Sequence, residues 1–244
     1  MNTTSNNVRL LTTDNAKTKK GESKGFLTYV LYLAPHKQGG LGNVCPHASP
    51  GCILACLFSA GMGKFANVRN SRIRKTQLFF SNPREFIELL SLEIEKAIIQ
   101  AKKKGLVPCF RLNATSDLPW ELLGGKLAFN LFNRFPNVAF YDYTKNAARA
   151  ELFARGGMPS NYHLTFSRSE CNESDCKRLL GLGVNIATVF STKKKDQLPA
   201  TYQGVNVIDG DLNDLRFTDP KGVYVGLRAK GQALSDKSGF VIKL

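Results

Sequence analysis

The chain has 244 residues, with 34 Lys and Arg against 19 Asp and Glu, a formal charge of +15, and six cysteines. The length suits one domain with a full core. No apolar run approaches the ~20 residues that cross a bilayer, and no basic-then-apolar leader opens the chain, so a membrane-spanning or secreted reading is excluded and a cytoplasmic one expected. In a reducing compartment clustered thiols point to a metal rather than to disulfides, and the charge points to a polyanion, nucleic acid first and a phosphorylated small molecule second.

Residues 1–24 are polar and rich in lysine, which predicts a flexible basic arm ahead of a single domain over 25–244. Residues 26–34 read as a buried first strand, followed by a Gly- and Pro-rich loop to Gly51. From Glu22 to Glu85 no acidic residue intervenes, while Lys24, Lys37, Lys64, Arg69, Arg72, Arg74, Lys75 and Arg84 do. Residues 78–80 are a weak strand candidate. Asn82, Pro83 and Glu85 mark a helix start, and an apolar stripe from Phe86 to Ala101 carries that helix to about Lys104, where Gly105 stops it.

Strand candidates then recur at 107–112, 138–143, 162–166, 184–190, 205–208 and 223–227, with helical patterns at 120–132, 146–154 and 172–180. This alternation predicts an α/β fold with a parallel sheet, barrel-like, closed or incomplete, because about eight strands is the barrel number. Residues 191–222 leave little room for full helices, so the last quarter is expected to be irregular. A doubly wound open sheet is the competing fold.

The sharpest chemical signal is the loop with Cys45, Cys52 and Cys56, separated by six and then three intervening residues. A helix starting near Cys52 would put Cys52 and Cys56 on one face. Three thiolates can hold three irons of a [4Fe-4S] cluster and leave the fourth iron open. Zinc is the competing metal, with His47 or a distant cysteine as the fourth ligand.

In a parallel sheet the carboxyl ends of the strands form one functional face. Arg111, Asn113 and Asp117 follow the 107–112 strand, Tyr143 and Lys145 the 138–143 strand, Ser167 the next, and Arg228 and Lys230 the last. Arg111, Asn113, Asp117, Lys145 and Arg228 are the candidate catalytic residues, and Tyr143, Ser167 and Lys230 the candidate cofactor contacts. Thr115, Ser116 and Asn146 read as helix caps. Cys109 and His163 read as core residues, and Cys171 and Cys176 as part of a helix start. Lys64, Arg69, Arg72, Arg74 and Lys75 form the candidate phosphate or nucleic-acid surface, with Arg69 and Arg72 on one helical face.

A cysteine loop after the first strand of a (βα) barrel resembles, in layout, the radical S-adenosylmethionine enzymes, although the cysteine spacing is wider than is usual there. The segments 45–56, 69–76, 111–120, 141–146 and 226–231 look like a group of phage and mobile-element proteins with a cysteine-rich barrel, a resemblance covering most of 26–231. It implies a phage or mobile-element origin, and so a host-cell cytoplasm. The radical-enzyme layout implies a small-molecule cofactor, S-adenosylmethionine, at the open iron. Two functions follow as expectations: an iron–sulfur enzyme acting on or near nucleic acid, or a non-catalytic nucleic-acid-binding protein with a structural metal. A metal-free barrel hydrolase or lyase using Asp117 or Lys145 is a third, weakened by the lack of a paired acid and base.

Overall fold

A computed structural model describes residues 8–13, 16–56, 58, 61–127 and 130–244. Its strands are β1 (Leu11–Thr12), β2 (Phe26–Leu31), β3 (Val107–Arg111), β4 (Ala139–Thr144), β5 (Tyr162–Ser167), β6 (Ile186–Phe190), β7 (Thr201–Tyr202), β8 (Val205–Asp209), β9 (Tyr224–Arg228) and β10 (Val241–Ile242). The helices are α1 (Ala16–Lys19), α2 (Pro50–Leu54), α3 (Ala66–Ser81), α4 (Pro83–Lys103), α5 (Trp120–Leu127), α6 (Leu131–Arg134), α7 (Ala147–Ala154) and α8 (Glu173–Gly181).

The strands form one mixed sheet, ordered β1-β2-β3-β4-β5-β6-β9-β8-β7, with β10 paired to the end of β6. From β2 through β8 every pair is parallel, as expected of strands linked by helical crossovers. The sheet is not closed by hydrogen bonds. Its edges are the antiparallel strands β1, on β2, and β7, on β8. The closing quarter explains one edge: residues 191–222 turn into a β7–β8 hairpin instead of a helix, with Gln203 and Gly204 at φ 49° and 78°. Positive φ at both turn residues suits the twist of a two-residue hairpin.

Alternation along each strand separates two faces. On the helix-covered face Leu27, Tyr29, Leu31, Phe110, Phe140 and Leu164 meet Phe86, Leu90 and Ile94 of α4. On the opposite face Cys109 and Tyr141 pack against Leu215 and Phe217, from the segment after β8.

Helix α4 forms where its cap and stripe predict, with Asn82 accepting from the Glu85 amide and Gly105 beyond its end at φ 67°. The strand expected at residues 78–80 is instead the last turn of α3. Its run of Leu78, Phe79 and Phe80 is too short to carry a period, and only Phe79 is buried, packed edge-on against Phe86 and Trp120. The helix expected over 120–132 is divided into α5 and α6, because the Asn130 side chain caps a new start by accepting from the Phe132 and Asn133 amides.

Met1 to Asn7 of the expected arm lie outside the described residues, but Val8–Thr13 belong to the fold. Leu10 and Leu11 are buried, their amides donate to the Glu93 carboxylate, and Lys75 Nζ donates to the Leu10 carbonyl at 2.8 Å. Among the described residues no helix is long and apolar enough to cross a membrane.

Candidate functional site

The cysteine loop lies at the carboxyl end of the parallel strands. Val44 anchors it in the core, where its carbonyl accepts from the Asp117 amide at 2.8 Å. Next to it Cys45 Sγ accepts from the His36 amide at 3.2 Å and faces the Thr115 carbonyl at 3.5 Å. Helix α2 then starts two residues before Cys52, with Ser49 as N-cap and Pro50 in its first turn. Glu170 locks that start: its carboxylate accepts from the Gly51 amide at 2.7 Å and the Ser49 hydroxyl at 2.8 Å. A side chain at Gly51 would overlap Glu170 and Ser238. The helix is a single turn, so Cys52 is helical while Cys56 follows its end. Cys52 packs with Ala55 against Ala229, Ala233, Phe240 and Val241, which roof the loop from the carboxyl-terminal segment.

The three thiols sit close enough to act on one another electrically. Burial, and then ionisation of Cys56, Cys52 and Asp117, pushes Cys45 up to about 12. Burial also raises Cys56, against the pull of Arg72 and Lys145. Among the described residues no three His, Cys, Asp or Glu side chains are gathered as a ready set of metal ligands. The donor chemistry fits a thiophilic metal or cluster: three soft ligands from one loop, with two cations beside them.

Those cations are held differently. Lys145 Nζ donates to Ser167 Oγ at 2.6 Å and lies 5.3 Å from the Phe240 ring centre, and its amide donates to Asp117. Arg72 is only 7 % exposed, its guanidinium 4.8 Å from the Tyr32 ring centre and 5.8 Å from that of Phe58. Among the described residues its Nε and Nη1 have no hydrogen-bond partner.

The remaining candidates fall into separate groups. Arg111 lies on the face opposite the helices, paired with Asp214 at 3.0 Å and stacked 4.5 Å from the Tyr143 ring centre. The buried Tyr143 hydroxyl has no hydrogen-bond partner. Tyr141 donates to the same Asp214 at 3.3 Å. Asn113 is built into the turn after β3, where its Oδ1 accepts from Ser116, the Leu118 amide and the Trp120 indole. Asp117 is paired at 3.0 Å with Arg149, which also grips Glu121. Arg228 binds Asp209 and Asp211, and Lys230 binds Asp211 at 2.6 Å. On the basic segment Lys64 and Arg74 are exposed, Arg69 folds back onto the Gly63 and Lys64 carbonyls, and Arg72 and Lys75 point inward. The five therefore do not form one solvent-facing basic surface. His47 is exposed and bonds Asn146 at 3.0 Å, Cys109 and Cys176 are buried, and Cys171 is exposed.

Sequence reasoning missed Glu170, Asp214, Arg149 and Tyr32. Glu170 carried a usable signal, since an acid next to a strand end can cap a helix on a neighbouring loop. Asp214 carried none, because it reaches Arg111 across 103 residues of chain.

The model of a family described as Gene product 88 matches residues 6–244. No curated protein and no solved structure matches the chain.

Proposed function

The chain belongs to the Gene product 88 family, and from that premise we propose an iron–sulfur protein of phage or mobile-element origin in which Cys45, Cys52 and Cys56 hold a [4Fe-4S] cluster. What supports the reading is that one acid-free loop carries three thiols near enough to act on one another electrically, with two cations, Arg72 and Lys145, that act on Cys56. Thiolate ligation concentrates negative charge, and nearby cations stabilise it. When bound, a cluster with only three protein ligands supplies electron transfer and an iron open to another molecule.

The chain's own residues would prepare the surroundings of such a centre. Arg111, oriented by Asp214 and stacked on Tyr143, offers a fixed cation at the end of β3, on the face opposite the helices. Lys145 and Ser167 offer a polar pair next to the loop, and the unpaired Tyr143 hydroxyl a further contact for a small-molecule cofactor. The excess positive charge, exposed at Lys64 and Arg74, would draw nucleic acid or another polyanion toward the protein. On this reading the protein is an enzyme, and S-adenosylmethionine is the first cofactor to test on iron-loaded protein.

Anaerobic purification with metal analysis and an absorption spectrum is the test. The expected result is a brown protein with about four irons per chain. Cys45→Ser, Cys52→Ser and Cys56→Ser should each lose most of that iron, while Cys109→Ser and Cys176→Ser keep it. One zinc per chain and no colour would replace this reading with a structural metal in a nucleic-acid-binding protein. A folded protein without metal would remove both.

A further inference from the structure

The guanidinium of Arg72 lies against two aromatic rings and has part of its edge unpaired. Tyr32 and Phe58 lie within cation–π range of it, which accounts for the charge on its faces. Nε and Nη1 point in the plane of the group, where aromatic rings cannot satisfy a donor, and both are buried without a partner. Local sequence offers no remedy, because no Asp or Glu lies between Glu22 and Glu85. The other buried arginines among the described residues have each found a carboxylate: Arg149 has Asp117 and Glu121, and Arg216 has Asp219.

The surroundings enclose that edge. Gly63 comes so close that an added Cβ would stand 3.2 Å from Arg72 Nη1 and overlap the Phe58 carbonyl. Only glycine permits this approach. Among the described residues the backbone packs against the guanidinium without supplying an acceptor to Nε or Nη1. A planar, weakly hydrated fork with free in-plane donors matches an oxyanion better than any other ligand class.

We propose that Arg72 forms the base of an oxyanion site beside the cysteine loop, receiving the phosphate or carboxylate group of a small molecule. This goes beyond the cluster reading, since it stands on the surroundings of Arg72 and needs no iron. It also changes the role of the basic segment: Arg72 recognises an interior ligand rather than a nucleic-acid backbone on the surface.

The test is a thermal-unfolding titration of the full chain with inorganic phosphate and, separately, acetate, against chloride at equal ionic strength. Iron content is measured on the same samples. The site predicts a saturable rise in Tm with one or both anions, at least tenfold weaker in apparent affinity in Arg72→Gln. Phosphate alone would identify a phosphate ester as the ligand, and acetate alone a carboxylate. Arg72→Lys, which keeps the charge but loses the fork, should retain only part of the response and covers the case in which Arg72→Gln fails to fold. A response that persists in iron-free protein upholds the site even if the cluster reading fails. Wild-type protein that responds no more to phosphate or acetate than to chloride overturns the proposal, whether or not it holds iron.

Discussion

At the scale of single residues, a buried polar chain lies behind β4. Asp142 is fully buried, accepting from the Asn113 amide at 2.6 Å and the Tyr162 hydroxyl at 2.9 Å, and Tyr162 in turn accepts from Arg149. Burial, only partly opposed by those two hydrogen bonds, raises the Asp142 carboxyl from 3.8 to about 7. Between those values the folded protein holds a proton that the unfolded chain has released. Asp142 therefore favours folding least at high pH: its contribution is full below about 4 and is lost as the pH rises through about 7. Asp142→Asn keeps an acceptor for the Asn113 amide and cannot ionise. The decline in urea midpoint between pH 5 and pH 8 should be smaller in this variant than in wild type, and equal declines would show that Asp142 does not titrate there. The polar residues expected at the strand ends divide in the same physical way. Asn113 is satisfied within its own turn and Asp117 by Lys145 and Arg149, while Arg111 and Tyr143 keep unpaired atoms.

At the scale of elements, period and caps carried most of the information. Helix α4 follows from its stripe and from Asn82, which both closes α3 and opens α4. Asn82 accepts from the Glu85 amide and donates to its carboxylate, so Asn82→Ala should cost about 1 kcal/mol in chemical denaturation. A change under 0.3 kcal/mol, below the range for such caps, would mean the tight α3–α4 link holds the helix start without it. Shorter elements were illegible. Strands β1, β7 and β10 have two residues each, too few to show alternation, and they exist because a neighbouring strand offers unpaired backbone groups. In the cysteine loop, the spacing of Cys52 and Cys56 announced a helix, but its extent was set by Ser49 and Glu170 at one end and by the early stop at Leu54.

Across the whole molecule, distant segments complete what the central strands begin. The amino-terminal stretch is strapped to α3 and α4: burial lowers Lys75 to about 8, and its ammonium is held against the Leu10 carbonyl beside Glu93. Glu93→Ala should release β1, seen as faster hydrogen exchange at the Leu10 and Leu11 amides with little change in β4 and β5. Uniformly faster exchange would show instead that the strap is part of the global folding unit. From the other end, Asp214 crosses to Arg111, and the segment around Ala229, Ala233 and Phe240 packs over Cys52. The sequence by itself determined the parallel α/β pattern, the long helices, and a loop that carries three thiols and no acid of its own. Those properties depend on hydrogen bonds and side-chain periods within a few residues. Only the tertiary structure decided that the sheet stays open at two antiparallel edges, that Arg72 is buried without a carboxylate, and that Arg111 is paired from far along the chain. Edge pairing and charge pairing are through-space choices among many candidates, settled only when packing has brought the segments together.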